Sequence, residues 1–217
     1  MDNWTSDLLP LFKGLAVTVE LTVCAGALAV PLGLFAGYAR SSRQRVVRIP
    51  ASWYVEVFRG TSTLVQLFWF YYVLPLFGVS LPAEAVGIAV LALNAGAYGA
   101  EIVRGAIAAV PREQYEAATA LNMTRPQMMW RIVVPQAVPA MLPPAGNLLI
   151  ELLKNTALVS LITINELTSN AQILRAESLR TTELFCLILL MYFAMASLIS
   201  TGMRRLEWTF AKSRRGR

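Results

Sequence analysis

The sequence predicts an all-α integral membrane protein with about five transmembrane helices. Of its 217 residues, 56% are hydrophobic and only 15% are charged, whereas a soluble domain usually carries about 25% charged residues. Five runs reach, or nearly reach, the roughly 20 mostly apolar residues that a helix needs to cross a bilayer. The basic residues gather at alternate ends of these runs instead of forming one patch.

The first run covers about residues 11–39 and is uncharged from Leu21 onward. It holds a Gly33-x-x-x-Gly37 pattern, which allows close helix approach. Glu20 has no partner at helical spacing. The second run covers about 53–77 and is uncharged after Arg59. The third lies near 85–103. The fourth covers about 132–153, with an extension toward Ile162, and the fifth covers 184–203 with no charge. Pro75, Gly78 and Pro82 mark a short turn between runs two and three. The polar segment 165–182 forms a longer connection. The whole chain, 1–217, reads as one transmembrane domain.

Arg40, Arg43, Arg45 and Arg48 follow the first run, and Arg104, Arg112, Arg125 and Arg131 surround the connection between runs three and four. Arg204, Arg205, Lys212, Arg214, Arg215 and Arg217 follow the fifth. Five spans put all of these on one side, which the positive-inside rule makes cytoplasmic, with the N-terminus outside. Lys13, Arg175 and Arg180 fall on the other side. Met1 to Asp7 carries two acids and no base, unlike a cleaved signal peptide, so the first run is expected to stay. Charges that flank spans argue against a nucleic-acid surface and for contact with membrane lipid. There is no histidine, which removes His-based nucleophiles, proton shuttles and His-ligated metals. Cys24 and Cys186 sit inside apolar runs and read as buried small residues.

The connection at about 110–127 is the most informative stretch. Pro111 suits the first turn of a helix over Arg112 to Leu121. Glu116, Ala117 and Ala118 place a carboxylate beside two small side chains, over which another surface can approach closely. Asn122 fits a left-handed C-terminal cap, and Thr124 to Gln127 reads as a capping box for the next helix. The pattern alone favours a surface helix lying on the bilayer.

Polar groups within the runs form a second set. Glu56 with Arg59, Glu101 with Arg104, and Glu151 with Lys154 are spaced i, i+3, on one helix face. A charge in the hydrocarbon core costs about 2.5–3.5 kcal/mol or more. Such residues therefore face protein, a partner or water. Arg59, Glu151, Lys154, Asn155 and Thr156 are candidates for a translocation pathway or for mutual neutralisation. Gln66 and Asn94 either hold helices together or touch solute. Pro135, Pro139 and Pro143 share one helix face and free carbonyls one turn earlier, so the helix is either a gating element or statically kinked.

Glu116-Ala117-Ala118, the turn at 122, and Ile132 to Pro135 resemble the EAA loop of ABC-importer permeases. Three further stretches resemble the polar amino acid permease subfamily: Arg59-Gly60-Thr61 with Val65-Gln66, Tyr98 to Gly105, and Leu142-Pro143-Pro144 through Gly146-Asn147 to Lys154-Asn155-Thr156. Within it the chain looks most like permeases for ectoine and hydroxyectoine, which are amino-acid-derived zwitterions. It departs from the family pattern at Asn122, usually glycine, and at Ser62, usually proline.

The resemblance implies a permease subunit in the bacterial inner membrane, moving a polar amino acid or similar zwitterion into the cytoplasm. Glu116, Ala117, Ala118 and Asn122 would dock a separate ATPase subunit. A periplasmic binding protein would deliver solute, and a second permease copy or related subunit would complete the pathway. The chain has no GxxxxGK[ST] phosphate loop, so ATP is expected to be used by the partner and no cofactor is expected here. An intramembrane enzyme would need converging catalytic groups, of which only Ser–Lys or paired carboxylates remain. A passive channel would have no use for an ATPase-docking loop.

Overall fold

The computed structural model describes residues 4–42 and 44–215, with side chains over 8–42 and 44–210. Expectations that rest on Met1 to Asp7, or on the side chains of Arg43, Lys212, Arg214, Arg215 and Arg217, lie outside the described residues. Among the described residues every regular element is helical. Four stretches are long and apolar enough to cross a membrane: Leu8–Arg40, Ala83–Ala108, Arg125–Ile162 and Thr181–Phe210.

Helix α1 (Trp4–Arg40) leads to α2 (Arg45–Gly60) and α3 (Thr63–Phe68), which continues through a π turn (Trp69–Val73) and a 3-10 turn (Leu74–Phe77). The expected second span over 53–77 is therefore not one helix. It starts earlier and breaks at Thr61 and Ser62, both extended. Gly60 weakens the helix end, and the Thr61 hydroxyl donates to the Val57 carbonyl at 2.8 Å, competing with the helical ladder.

Helix α4 (Ala83–Ala108) is the central element, with 61% of its most apolar window buried by protein, against 17% for α9 (Thr181–Arg215). Helix α1 runs parallel to α4. A Cβ added to Gly37 would sit 2.6 Å from Val103 Cβ and 2.7 Å from the Ala100 carbonyl, and one on Gly33 would sit 3.2 Å from Gly99. The Gly33–Gly37 pair is thus a working contact between backbones. The remaining elements are α5 (Arg112–Ala120), α6 (Arg125–Met128), a π turn (Met129–Val133), α7 (Val134–Asn155), a 3-10 stretch (Thr156–Ile162) and α8 (Leu167–Ser178). Helix α7 runs antiparallel to α4 and α9; Gly146 faces Met203, while Leu153 packs with Leu184 and Ile188.

The π turn ends two residues before Pro135, which has no N–H to donate and crowds the preceding turn. Helix α7 then continues unbroken past Pro139, Pro143 and Pro144. The polar connection expected at 165–182 is largely helix α8, which buries Leu167, Ala171 and Leu174 at helical spacing. The cysteines are another correction: Cys24 is half-buried and Cys186 exposed, both as free thiols. An apolar residue of a spanning helix can be covered by lipid instead of protein, so apolar context does not imply burial within the chain.

Candidate functional site

The C-terminal ends of α1 and α4, helix α5 and the start of α6 share one end of the bundle, while α8 lies at the other. At the first end, α5 is held by the Tyr115 hydroxyl, which donates to the Ile107 carbonyl at 3.1 Å. Its C-terminus closes with two bonds, Asn122 N–H to Thr119 O at 3.0 Å and Met123 N–H to Ala118 O at 3.1 Å. This is a Schellman closure, and Asn122 has φ 53° as the turn requires. The Thr124 N–H donates to Gln127 Oε1 at 2.9 Å, opening the next helix. Glu116 and Ala117 are exposed, whereas Ala118 is fully buried and packs inward. The free face of the segment therefore combines Glu116 and Ala117 with Leu121, which is 74% exposed and is not among the sequence-based candidates.

The second cluster surrounds the break between α2 and α3. Gln66 and Asn94 are buried. The Gln66 Nε2 donates to the carbonyls of Phe58 at 2.9 Å and Thr61 at 3.2 Å. The Asn94 Nδ2 donates to Phe58 O at 3.1 Å and Gln66 Oε1 at 3.4 Å. Carbonyls freed at membrane depth need internal partners, and these two amides supply them. Of the two readings open for Gln66 and Asn94, this geometry matches helix-holding.

Arg59 does not pair with Glu56. It turns to Glu101, with Nη1 3.5 Å from Oε1, and its guanidinium stacks 5.2 Å from the Tyr98 ring centre. Glu101 also binds Arg40, from the end of α1, and Arg104, whose Nη2 and Nε approach at 2.8 and 3.0 Å. One carboxylate thus joins three helices and faces three guanidinium groups. The Arg40 and Glu101 side chains are 15% and 20% exposed, and Arg59 is 41% exposed. The i, i+3 rule finds Arg104 and misses Arg40 and Arg59, which reach Glu101 from other helices.

Glu151 and Lys154 are exposed on α7, and no ion pair joins them among the described residues. Lys154 sits in the last turn of α7, where a cation suits the helix dipole. Asn155 is half-buried and ends that helix. Thr156 is fully buried, its hydroxyl donating to the Leu153 carbonyl at 2.7 Å, so it serves the helix end. No hydrogen bond or ion pair among the described residues joins this group to the Arg59 cluster. Glu20 is exposed on α1.

A buried carboxylate at the opposite end is a site residue that sequence reasoning missed. Glu166 is fully buried and caps α8, accepting from the N–H groups of Thr168 and Ser169, each at 2.8 Å. It also accepts from the Tyr192 hydroxyl at 3.0 Å and the Thr18 hydroxyl at 3.5 Å, so it ties α1, α8 and α9 together. The legible signal is an acid directly before the Leu167, Ala171, Leu174 stripe. Burial pushes this carboxyl above the ordinary Glu value. A raised folded-state value favours folding most below the ordinary value of about 4.3, and less as pH rises through the raised value. Glu166→Ala removes the cap and leaves buried hydroxyls without their acceptor, a loss of about 3 kcal/mol readable as a lower melting temperature of the purified protein. Glu166→Gln should lose less, and its stability should depend less on pH across that window. Equal melting of the Ala variant and the wild type would deny Glu166 this role.

Residues 29–208 match the family model described as "Binding-protein-dependent transport system inner membrane component". The protein named probable amino-acid ABC transporter permease y4tF, from Sinorhizobium fredii, is 44% identical, covering 94% of this chain and 89% of that one. The L-cystine transport system permease TcyB of Bacillus subtilis is 38% identical, covering 78% and 72%. A crystal structure of an amino acid ABC transporter superposes with TM-score 0.89 at 36% identity, covering 96% and 99%. The chain belongs to the family of binding-protein-dependent transport system inner membrane components. It is a membrane-spanning transport subunit and not an enzyme.

Proposed function

We propose that this chain is the permease of an importer for an amino acid or a closely related zwitterion, with the solute carboxylate drawn to Arg59. The excess of three guanidinium groups over the single carboxylate of Glu101, beside an exposed helix break, carries this reading. The named substrates of similar permeases, such as cystine for the Bacillus protein, support the solute class. Glu151 and Lys154, exposed on a spanning helix, are read as facing the same route, because charges left against lipid would be costly. Separate ATPase subunits dock on Glu116, Ala117 and Leu121 and supply ATP hydrolysis. A binding protein delivers solute, and a second permease subunit closes the pathway. The Arg-rich end is cytoplasmic, which puts the N-terminus outside.

Ectoine and hydroxyectoine are the narrower candidates within this class, resting on sequence resemblance. The test is uptake by cells carrying the complete importer. Arg59→Gln and Lys154→Gln should each lower the initial rate about tenfold or more, since an ion pair in a partly desolvated route is several-fold stronger than in water. Membrane abundance should not change. Full transport by both variants would remove both residues from the route. Excess unlabelled ectoine added to a labelled amino acid decides the narrower point, because ectoine that leaves uptake untouched is not a substrate.

A further inference from the structure

Helix α2 is two-faced. Arg45, Arg48, Ser52, Glu56 and Arg59 recur at spacings of three and four, and at 3.6 residues per turn they share an arc of about 80°. All but the half-buried Ser52 are exposed. The neighbouring arc packs into the protein: Val47 and Ala51 line the contact with α1, and Val55 is buried with Ala36 and Ala97. Arg45, Arg48 and Glu56 form no ion pair among the described residues. Glu56 is left alone because its helix neighbour Arg59 turns to Glu101.

The stripe runs inward through the membrane domain. Arg45 stands just after the end of α1, at the Arg-rich end of the bundle. The other end of α2 reaches mid-depth. There the Tyr54 hydroxyl donates to the Leu93 carbonyl at 2.7 Å, and the Phe58 carbonyl accepts from Asn94 at 3.1 Å. Both partners lie near the middle of the 26-residue α4. An amphipathic helix on a bilayer surface lies in the plane of that surface, a posture that these bonds deny to α2. Charged groups held at depth against lipid are costly, and so is the broken backbone at Thr61 and Ser62. The stripe and the break at its end therefore both need water.

We infer that this stripe is one wall of the water-filled inner half of the solute route, in which Glu56 attracts the cationic group of a zwitterion whose carboxylate goes to Arg59. The inference rests on the place given to Arg59 in the route above. Side chains at i and i+3 stand about 5–6 Å apart at Cβ, a separation that the two charged ends of a small amino acid can bridge. A free carboxylate one turn before a guanidinium selects a solute that carries both charges over a simple anion.

The test is thiol modification of the complete importer in lipid nanodiscs, read as mass added to the permease chain. Cys24→Ala and Cys186→Ala remove the chain's own thiols. The probes are two methanethiosulfonates, one bearing a trimethylammonium group and one a sulfonate. Ser52→Cys should react with both about tenfold faster than Val57→Cys, an exposed position of α2 outside the stripe, because a thiol held against lipid stays protonated. Adding Glu56→Gln to Ser52→Cys should slow the cationic reagent about threefold relative to the anionic one, the effect of one charge about 6 Å away in water. Glu56→Asp should keep most of that ratio. Equal rates at positions 52 and 57 would mean that lipid or a partner subunit covers the stripe, and would overturn the inference. So would a reagent ratio that Glu56→Gln leaves unchanged. Nanodiscs expose both membrane faces, so neither result depends on orientation. Full uptake by Arg59→Gln would remove Arg59 from the route and this role of Glu56 with it. Impaired uptake by Arg59→Gln together with a failed thiol result would remove the role of Glu56 alone.

Discussion

Glu101→Gln should be among the most damaging single changes in the protein. It leaves Arg40, Arg59 and Arg104 facing one another without their shared carboxylate. Most of the cost falls on the Arg40 contact, where both side chains are largely enclosed. Removing one partner of such a pair costs about 3 kcal/mol or more, because the other charge stays buried. A drop in apparent melting temperature on the order of 10 °C follows for a chain of this size. Arg104→Gln is the control: its side chain is 46% exposed, and exposed helix pairs contribute only about 0.3–0.5 kcal/mol. Arg40→Gln combined with Glu101→Gln should recover part of the loss. A Glu101→Gln protein that melts with the wild type would show that the three helices are held by packing alone.

Glu116→Lys is expected to abolish uptake while sparing the fold. Glu116 is exposed in the middle of α5, and its side chain takes no part in the Schellman closure at Asn122 or in the anchoring bond of its neighbour Tyr115. Reversing its charge should cost the folded chain within about 0.5 kcal/mol, as surface changes usually do. At a docking surface the same change sets like charges or unpaired groups against the partner, which costs several kcal/mol. The measurements are membrane abundance, co-purification of the ATPase and initial uptake rate. Loss of the last two with the first intact is the expected result; unchanged uptake would exclude Glu116 from ATPase docking.

Several features are legible in the order of residues because they depend on local chemistry. The Asn122 turn is one: few residues tolerate a positive φ, and Asn at the end of a short helix formed by good helix formers is enough to place it. The all-helical membrane architecture is another, since long apolar runs have few alternatives in a bilayer that leaves no backbone group unpaired. The exposed Glu116 and Ala117 follow from their place on a short polar helix. Ala118 does not, because its inward direction depends on how α5 is anchored beneath the bundle.

What the sequence determined by itself is therefore composition-driven: helices, their approximate number, the charged ends and the turn chemistry between them. The tertiary structure decided which groups meet. Arg59 has Glu56 three residues away and yet pairs with Glu101, because the break at Thr61 and Ser62 lays α2 against α4. Gln66 and Asn94 become braces only once that break frees the Phe58 and Thr61 carbonyls. Glu166 gathers donors from Thr18 and Tyr192, respectively 148 and 26 residues away in the chain. Helical periodicity links residues three and four apart. Contacts between helices depend on packing and break geometry, which no short window of sequence contains.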